Sequence, residues 1–353
     1  MTTRSRRGVS RSLGATLVAV VTLAGCGTET PSSILLDGLS QPRGIGVDGE
    51  TICVAEAGSM PSESPSGERP GQVEADTGRL LCSDNGKSFE TVLLGLPFVY
   101  YPDAAVTSGA ADVVFDEAAT YALIGESYGK LSRSVVRVTE RGPEIVADLL
   151  EFAERRAPAD DDGIRSNPWS MVSDRRSEGF LVADAATGQV LSARLDGGID
   201  LFAAVPGHEV LTGMAWGPDG MLYVGSFGQL PHPSGSGAVV AIGEDGSSRT
   251  VVEGLTMVID VGFDRNGGMF ILEYSVPPDE PQGVDAYRDD SGRLLYVGEP
   301  IHANEPRVLV DGLDRPTALA VRGDEIVVSI TGGEQAASEG MLRQYPLDAL
   351  LAD

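Results

Sequence analysis

Histidine is scarce in this chain, with three residues in 353, at positions 208, 232 and 302. His208, His232 and His302 are too dispersed for any of the usual zinc spacings. A Ser-His-Asp triad would need His208 or His232 beside an activated serine, and no Gly-x-Ser-x-Gly elbow is present. His232 lies in Leu230-Pro-His-Pro-Ser and reads more readily as a loop residue than as a catalyst. Phosphate-cradling glycine motifs are also missing, because the 45 glycines follow turns and inner strands. Basic charge is short as well: 26 Lys and Arg stand against 52 Asp and Glu, a net of −26. Such a surface repels phosphate backbones, so nucleic acid is not an expected partner, while cations, cationic ligands or plain solubility are favoured. No long amphipathic helical pattern runs through the sequence.

What the sequence does contain is a repeat. Asp37-Gly-Leu-Ser-Gln-Pro-Arg-Gly-Ile-Gly-Val returns as Asp311-Gly-Leu-Asp-Arg-Pro-Thr-Ala-Leu-Ala-Val. Six copies open on apolar strands at Ile34, Thr91, Val146, Leu201, Val251 and Arg307, at intervals of 50 to 57 residues. That period suits four strands per copy. Each copy orders a strand, often Gly-Leu, a small-and-apolar strand, a turn, a strand, a variable loop and a strand. Leu211-Thr-Gly-Met-Ala-Trp-Gly-Pro-Asp-Gly-Met-Leu-Tyr-Val-Gly is the clearest, its Pro-Asp-Gly supplying the positive-φ residue of a tight hairpin. Asp48-Gly49 and Asn266-Gly267 take the same place. Short β runs joined by turn signals predict an all-β six-bladed β-propeller over residues 34 to 348, with 349 to 353 as a tail. A β-sandwich plus a second domain is the alternative. The last copy stops after three strands, and Ile34-Leu-Leu-Asp is an outer strand with no blade before it. Pairing the two would close the ring and remove two exposed sheet edges.

Residues 1 to 25 carry four arginines and no acids around the apolar run Leu13 to Leu23, which is too short to span a membrane. This predicts an export signal. Its end, Leu23-Ala-Gly-Cys26, resembles the lipobox of bacterial lipoproteins. The resemblance implies cleavage before Cys26, diacylation of that cysteine, residues 26 to 33 as anchor and short linker, and attachment to the outer face of a membrane through lipid only; plain secretion is the alternative. Cleavage would leave 22 basic against 52 acidic side chains, a net of −30. A monomer is expected. The other two cysteines, Cys53 and Cys82, fall in the second and third strands of the first blade. If Glu56 lies opposite Arg79, the same register sets Cys53 opposite Cys82. An oxidising compartment favours a disulfide there, whereas directly opposed strand pairs are often poor geometry for one and leave two buried thiols as the other outcome.

In a propeller, the loops before each inner strand and after each second strand surround one mouth of the central channel. Here these are the long segments 57–77, 97–110, 151–168, 227–237 and 275–292, so function is expected on that face. Aligning the inner strands sets Gly44, Asp112, Ser170, Gly213, Asp260 and Ala318 at one level, and Arg43, Trp169, Thr212 and Thr317 one residue earlier. Asp112 and Asp260 belong to opposite blades, and two such carboxylates repel unless a cation, a proton or an arginine lies between them. Ligand binding is therefore expected at Arg43, Asp112, Trp169, Thr212, Asp260 and Thr317. Asp112 and Asp260 with Glu56 are the candidate metal ligands for calcium or another divalent cation; no other cofactor is implied. Either carboxylate would equally serve as a general base. Glu56, Glu126 and Asp184, with Glu273 one residue out of step, end second strands, where a carboxylate more commonly accepts backbone N–H bonds in the turn.

The motifs Pro42-Arg-Gly-Ile-Gly-Val, Val54-Ala-Glu-Ala-Gly, Gly109-Ala-Ala-Asp-Val-Val-Phe, Ser166-Asn-Pro-Trp-Ser, Asp219-Gly-Met-Leu-Tyr-Val-Gly and Val258-Ile-Asp-Val-Gly-Phe resemble, in that order, the ScyD/ScyE family of exported bacterial propellers. Single motifs are also similar to NHL-repeat and gluconolactonase-like propellers. The resemblance implies the fold and an extracytoplasmic location and no particular activity. Three functions follow as candidates: a binding module whose acidic mouth captures a small molecule, a cation or a protein partner; a metal-dependent hydrolase or lactonase resembling the gluconolactonase propellers, with Asn167 nearest to the channel asparagine of those enzymes; and a structural protein of the cell envelope. One scaffold hosts many functions, so fold alone does not choose among them.

Overall fold

In the computed structural model, residues 30–61, 72–102, 106–117, 119–156, 165–277, 287–301, 304–332 and 339–352 are described. Residues 1–25, expected as an export signal, Cys26 and His302 lie outside them. Six antiparallel sheets form a six-bladed propeller. The first blade contains β2 (Pro42–Asp48), β3 (Thr51–Glu56), β4 (Val73–Ser83) and β5 (Glu90–Tyr101), extended by β6 (Val106–Ser108). The second has β7 (Ala110–Asp116), β8 (Ala119–Ile124), β9 (Ser134–Thr139) and β10 (Gly142–Asp148), and the third β11 (Pro168–Ser173), β12 (Gly179–Asp184), β13 (Gln189–Arg194) and β14 (Ile199–Ala204). The fourth has β15 (Leu211–Trp216), β16 (Leu222–Ser226), β17 (Gly237–Ile242) and β18 (Ser248–Leu255), and the fifth β19 (Val258–Phe263), β20 (Met269–Glu273), β21 (Gly292–Val297) and β22 (Arg307–Leu313). The sixth joins β23 (Pro316–Arg322), β24 (Glu325–Ile330) and β25 (Gly340–Pro346) to β1 (Ser33–Leu39).

Ring closure rests on that last pairing. β1 runs antiparallel to β25, with Ile34 opposite Arg343 and Leu39 opposite Gly340, so both edges are satisfied by the same chain. The recurring Gly-Leu has a local cause. Gly38, Gly95, Gly254 and Gly312 all adopt positive φ, between 70° and 77°, within the outer strands. Each kinks its strand and turns the following leucine inward, so that Leu39, Leu96, Leu255 and Leu313 are all at least 97% buried. Burying a leucine contributes about 1.5–3 kcal/mol, which makes this small motif a repeated anchor of the outer edge.

Two helices were not legible in the sequence. α1 (Leu149–Arg156) fills part of the connection from β10 to β11, and α2 (Leu347–Leu351) occupies most of the expected C-terminal tail. The first blade is also enlarged. β4 and β5 reach beyond the ordinary blade edge and carry β6, forming a small apolar cluster of Ala57, Phe98 and Tyr100 above the ring. Cys53 and Cys82 are directly opposed in the β3–β4 ladder, beside the opposed Glu56 and Arg79, and their sulfurs are bonded as a disulfide.

Candidate functional site at the channel mouth

Every inner strand breaks register against its neighbour at the same place. The slips fall between Pro42 and Ile45, Ala110 and Asp112, Pro168 and Ser170, Leu211 and Met214, Val258 and Asp260, and Pro316 and Ala318. A bulge re-aims side chains at that point. Arg43, Ala111, Trp169, Thr212, Ile259 and Thr317 fall at these slips, which is why they cluster at one level of the channel.

Below the bulges, the inner strands of all six blades enclose a channel cavity of about 660 Å³. Asp112 and Asp260 both line it, and their carboxylates are spent on the ring itself. Asp112 accepts from its neighbour's N–H at Val113 and from the Met171 N–H of the next blade, both at 2.8 Å. Asp260 accepts in the same way from Val261 and from Leu319 of the next blade, again at 2.8 Å. Each aspartate also rests on a glycine of the preceding blade: a Cβ on Gly44 would lie 2.7 Å from the Asp112 Cα, and one on Gly213 2.7 Å from the Asp260 Cα. The six aligned residues thus form two triplets of glycine, aspartate and a small residue, related by half a turn of the ring. Burial pushes the Asp112 carboxyl up to about 7, with its two N–H bonds acting against the shift. Asp260 is raised well above the usual carboxylate range too, by burial first and also by the charge of Asp112.

Other blade junctions use hydroxyls. Ser170 donates to the Thr212 carbonyl at 2.9 Å, Thr212 to the Val258 carbonyl at 2.8 Å, and Thr317 to the Pro42 carbonyl at 2.7 Å. Asp112, Thr212, Asp260 and Thr317, expected as ligand contacts, therefore each latch one blade to the next.

The acidic mouth expected from composition is not what the described residues form. Glu56 and Glu273 are fully buried. Glu56 accepts from the Ser40 N–H and pairs with Arg79; Glu273 accepts from the Thr256 N–H at 2.6 Å and pairs with Arg293. Asp184 accepts from Ser166, Asn167 and Ala186, and Glu126 pairs with Arg133 at 2.8 Å. These carboxylates fold back on loop N–H groups and arginines because backbone donors between outer and inner strands lack any other partner. Glu56 consequently lines neither cavity, and the expected set of Asp112, Asp260 and Glu56 does not converge. Among the described residues no group of three or more His, Cys, Asp or Glu is placed to hold a metal ion.

A second cavity of about 200 Å³ opens on the long-loop face. Among the described residues lining it, Arg43 is the only one with a full charge. Its guanidinium lies 5.3 Å from the Trp169 ring centre, and Nη2 donates to the Thr107 carbonyl at 2.9 Å and hydroxyl at 2.8 Å. Thr107 sits on β6, so the enlargement of the first blade is what holds the arginine in place. Nε and Nη1 have no hydrogen-bond partner and no carboxylate pairs with Arg43 among the described residues. Burial lowers the pKa of Arg43 in consequence. The opposite wall is aromatic. His232, Phe227, Tyr274 and Tyr287 touch in sequence, with ring centres 4.8, 5.9 and 5.2 Å apart. The His232 Nδ1 faces the Gly228 carbonyl at 2.9 Å, so in the neutral ring that nitrogen carries the proton, and burial lowers the pKa to keep the ring neutral. His208 instead bridges Ser226 and Thr250 within the fourth blade. Of the pocket's lining, sequence reasoning selected Arg43, Trp169 and Thr212; it set His232 aside as a loop residue and passed over Thr107, Phe227 and Tyr287, whose only signal was membership of the long loops, and Tyr274, which lies just outside them.

No protein-family model matches the sequence, and no curated protein shows detectable similarity to it. Solved structures do match. A Thermus thermophilus protein put forward as an oxidoreductase (glucose dehydrogenase) superposes with a TM-score of 0.59 at 13% identity, covering 89% of this chain and 99% of that one. A gluconolactonase from Xanthomonas campestris gives 0.55 at 13% identity over 93% of both chains. A Bacteroides thetaiotaomicron protein of unknown function gives 0.56 at 11% identity, covering 90% of this chain and 72% of that one. The likeness is one of fold. The chain shares the six-bladed architecture of gluconolactonase-like and NHL-like propellers, and at these identities their activities do not carry over.

Proposed function

We propose that the protein is an extracytoplasmic, lipid-anchored binding propeller that receives a small organic molecule at the mouth of its channel. The observation carrying this reading is the cavity of about 200 Å³ on the long-loop face, where aromatic rings, neutral polar groups and a single cation converge. Concave sites of mixed apolar and sparse polar lining are the usual form of small-molecule pockets. The lipobox-like Leu23-Ala-Gly-Cys26 and the ordered motifs resembling ScyD/ScyE propellers support the location. A lactonase reading gathers less, because both channel aspartates are engaged by backbone N–H groups and Glu56 by Arg79.

The test is a thermal-shift screen of the purified protein against a broad set of small metabolites, repeated on Ala185→Trp. Ala185 lines the pocket and is half-buried, so an indole there occupies the ligand's space. Compounds that stabilise the parent protein and lose that effect in the variant would support the reading. A screen without hits, or hits indifferent to the variant, would refute it.

A further inference from the structure

The mouth pocket is chemically lopsided. One side presents a cation whose counter-charge is absent among the described residues, although the whole chain carries twice as many acids as bases. Such a chain had ample means to neutralise Arg43, and elsewhere in the ring Arg79, Arg133 and Arg293 are all neutralised, by Glu56, Glu126 and Glu273. Arg43 alone among these is held by a hydroxyl and a carbonyl, which fix its direction without cancelling its charge. The other side is the ring wall of Phe227, Tyr274 and Tyr287, and Trp169 lies under the guanidinium. A dry cavity of about 150 Å³ accommodates benzene. At about 200 Å³ this pocket has room for one ring and a short charged substituent.

We infer that the pocket binds a monocyclic aromatic carboxylate, with the carboxylate accepting from Nε or Nη1 of Arg43, the donors that Thr107 leaves open, and the ring against the Phe227–Tyr274 wall. This rests on the small-molecule reading above and narrows its ligand class. The planar guanidinium can donate to Thr107 and to a carboxylate at once while lying against the Trp169 ring, which a lysine ammonium could not do. The negative surface of the whole molecule would repel such an anion at long range. Recognition is therefore assigned to the pocket's local geometry, and the surface field opposes it.

Isothermal titration of the purified protein with phenylacetate and its neutral isostere phenylacetamide separates charge recognition from simple apolar filling. Phenylacetate is expected to bind about tenfold or more tightly than the amide, the gain a charge-assisted hydrogen-bonded pair provides. In Arg43→Gln the acid should fall to the amide's affinity while the amide is unchanged, and Arg43→Lys should recover only part of the preference. The comparison of acid with amide on the parent protein needs no variant, so poor folding of Arg43→Gln leaves the inference testable. Equal affinity for acid and amide overturns the inference and leaves the small-molecule reading standing. Failure of both probes while other compounds bind in an Ala185-sensitive manner overturns the ligand class alone. Failure of every compound overturns both.

Discussion

Asp112 makes an unusual contribution to stability, because its carboxyl is raised from 3.8 to about 7 on folding, opposite to the ordinary behaviour of a paired aspartate. The folded protein then holds a proton that the unfolded chain releases, so stability falls as pH rises between about 4 and about 7 and is flat above. The rise from 3.8 to about 7 corresponds to about 4 kcal/mol. Asp260, facing the same channel and raised by the same burial, adds a contribution of like sign. Arg43 and Arg175 also line this channel; neither pairs with Asp112, Arg175 lying 4.9 Å over the Trp216 ring. The perturbation is Asp112→Asn, which keeps the shape and removes the titration. Urea unfolding followed by circular dichroism from pH 4 to pH 8 gives the difference in stability between parent and variant at each pH. That difference is expected to move against the parent by about 4 kcal/mol across the window. At low pH the parent should be the more stable, since the amide presents N–H hydrogens toward the N–H of Val113 or Met171. Parallel profiles, or a parent that gains on the variant as pH rises, would refute the reasoning, since either would mean that the two N–H bonds outweigh burial.

Gly44→Ala and Gly213→Ala should each destabilise the ring toward the upper end of about 1–3 kcal/mol, because the added Cβ meets both the Cα and the carboxylate of Asp112 or Asp260, and that carboxylate is pinned by two N–H bonds. A loss below about 0.5 kcal/mol in urea midpoints, the range of ordinary surface substitutions, would show that the aspartates do not rest on these glycines. Cys26→Ser should release the protein into the growth medium, as followed by fractionation and immunoblot. Continued membrane attachment would sink the lipid anchor.

Much of the architecture is local chemistry and was open to reading in advance. The Asp-Gly turns are set by residues a few positions apart, and together with the 50–57 residue period and the spare Ile34-Leu-Leu-Asp strand they specify six blades and their closure. The opposition of Cys53 and Cys82 follows from strand register alone. α1 and α2 were missed because helices of eight and five residues are too short to show a periodicity against the strand repeat.

The site lay largely outside that reach. Counting acids predicted an acidic mouth, but whether a carboxylate faces solvent or folds onto a neighbouring N–H is decided across blades, as with Asp112 on Met171 and Asp260 on Leu319. Arg43 and Trp169 were visible as exceptions in otherwise small inner strands. That Arg43 lacks an acidic partner among the described residues while Arg79 and Arg293 have one, and that Phe227 and Tyr274 line the same pocket, depends on the bulges that turn each inner strand and on β6, which places Thr107. By itself the sequence determined a ring of six sheets and its closure, because hydrogen-bonded turns and alternating burial act over short distances. Only the tertiary structure decided the sign of charge at the mouth, because that sign depends on which distant backbone groups consume the acids.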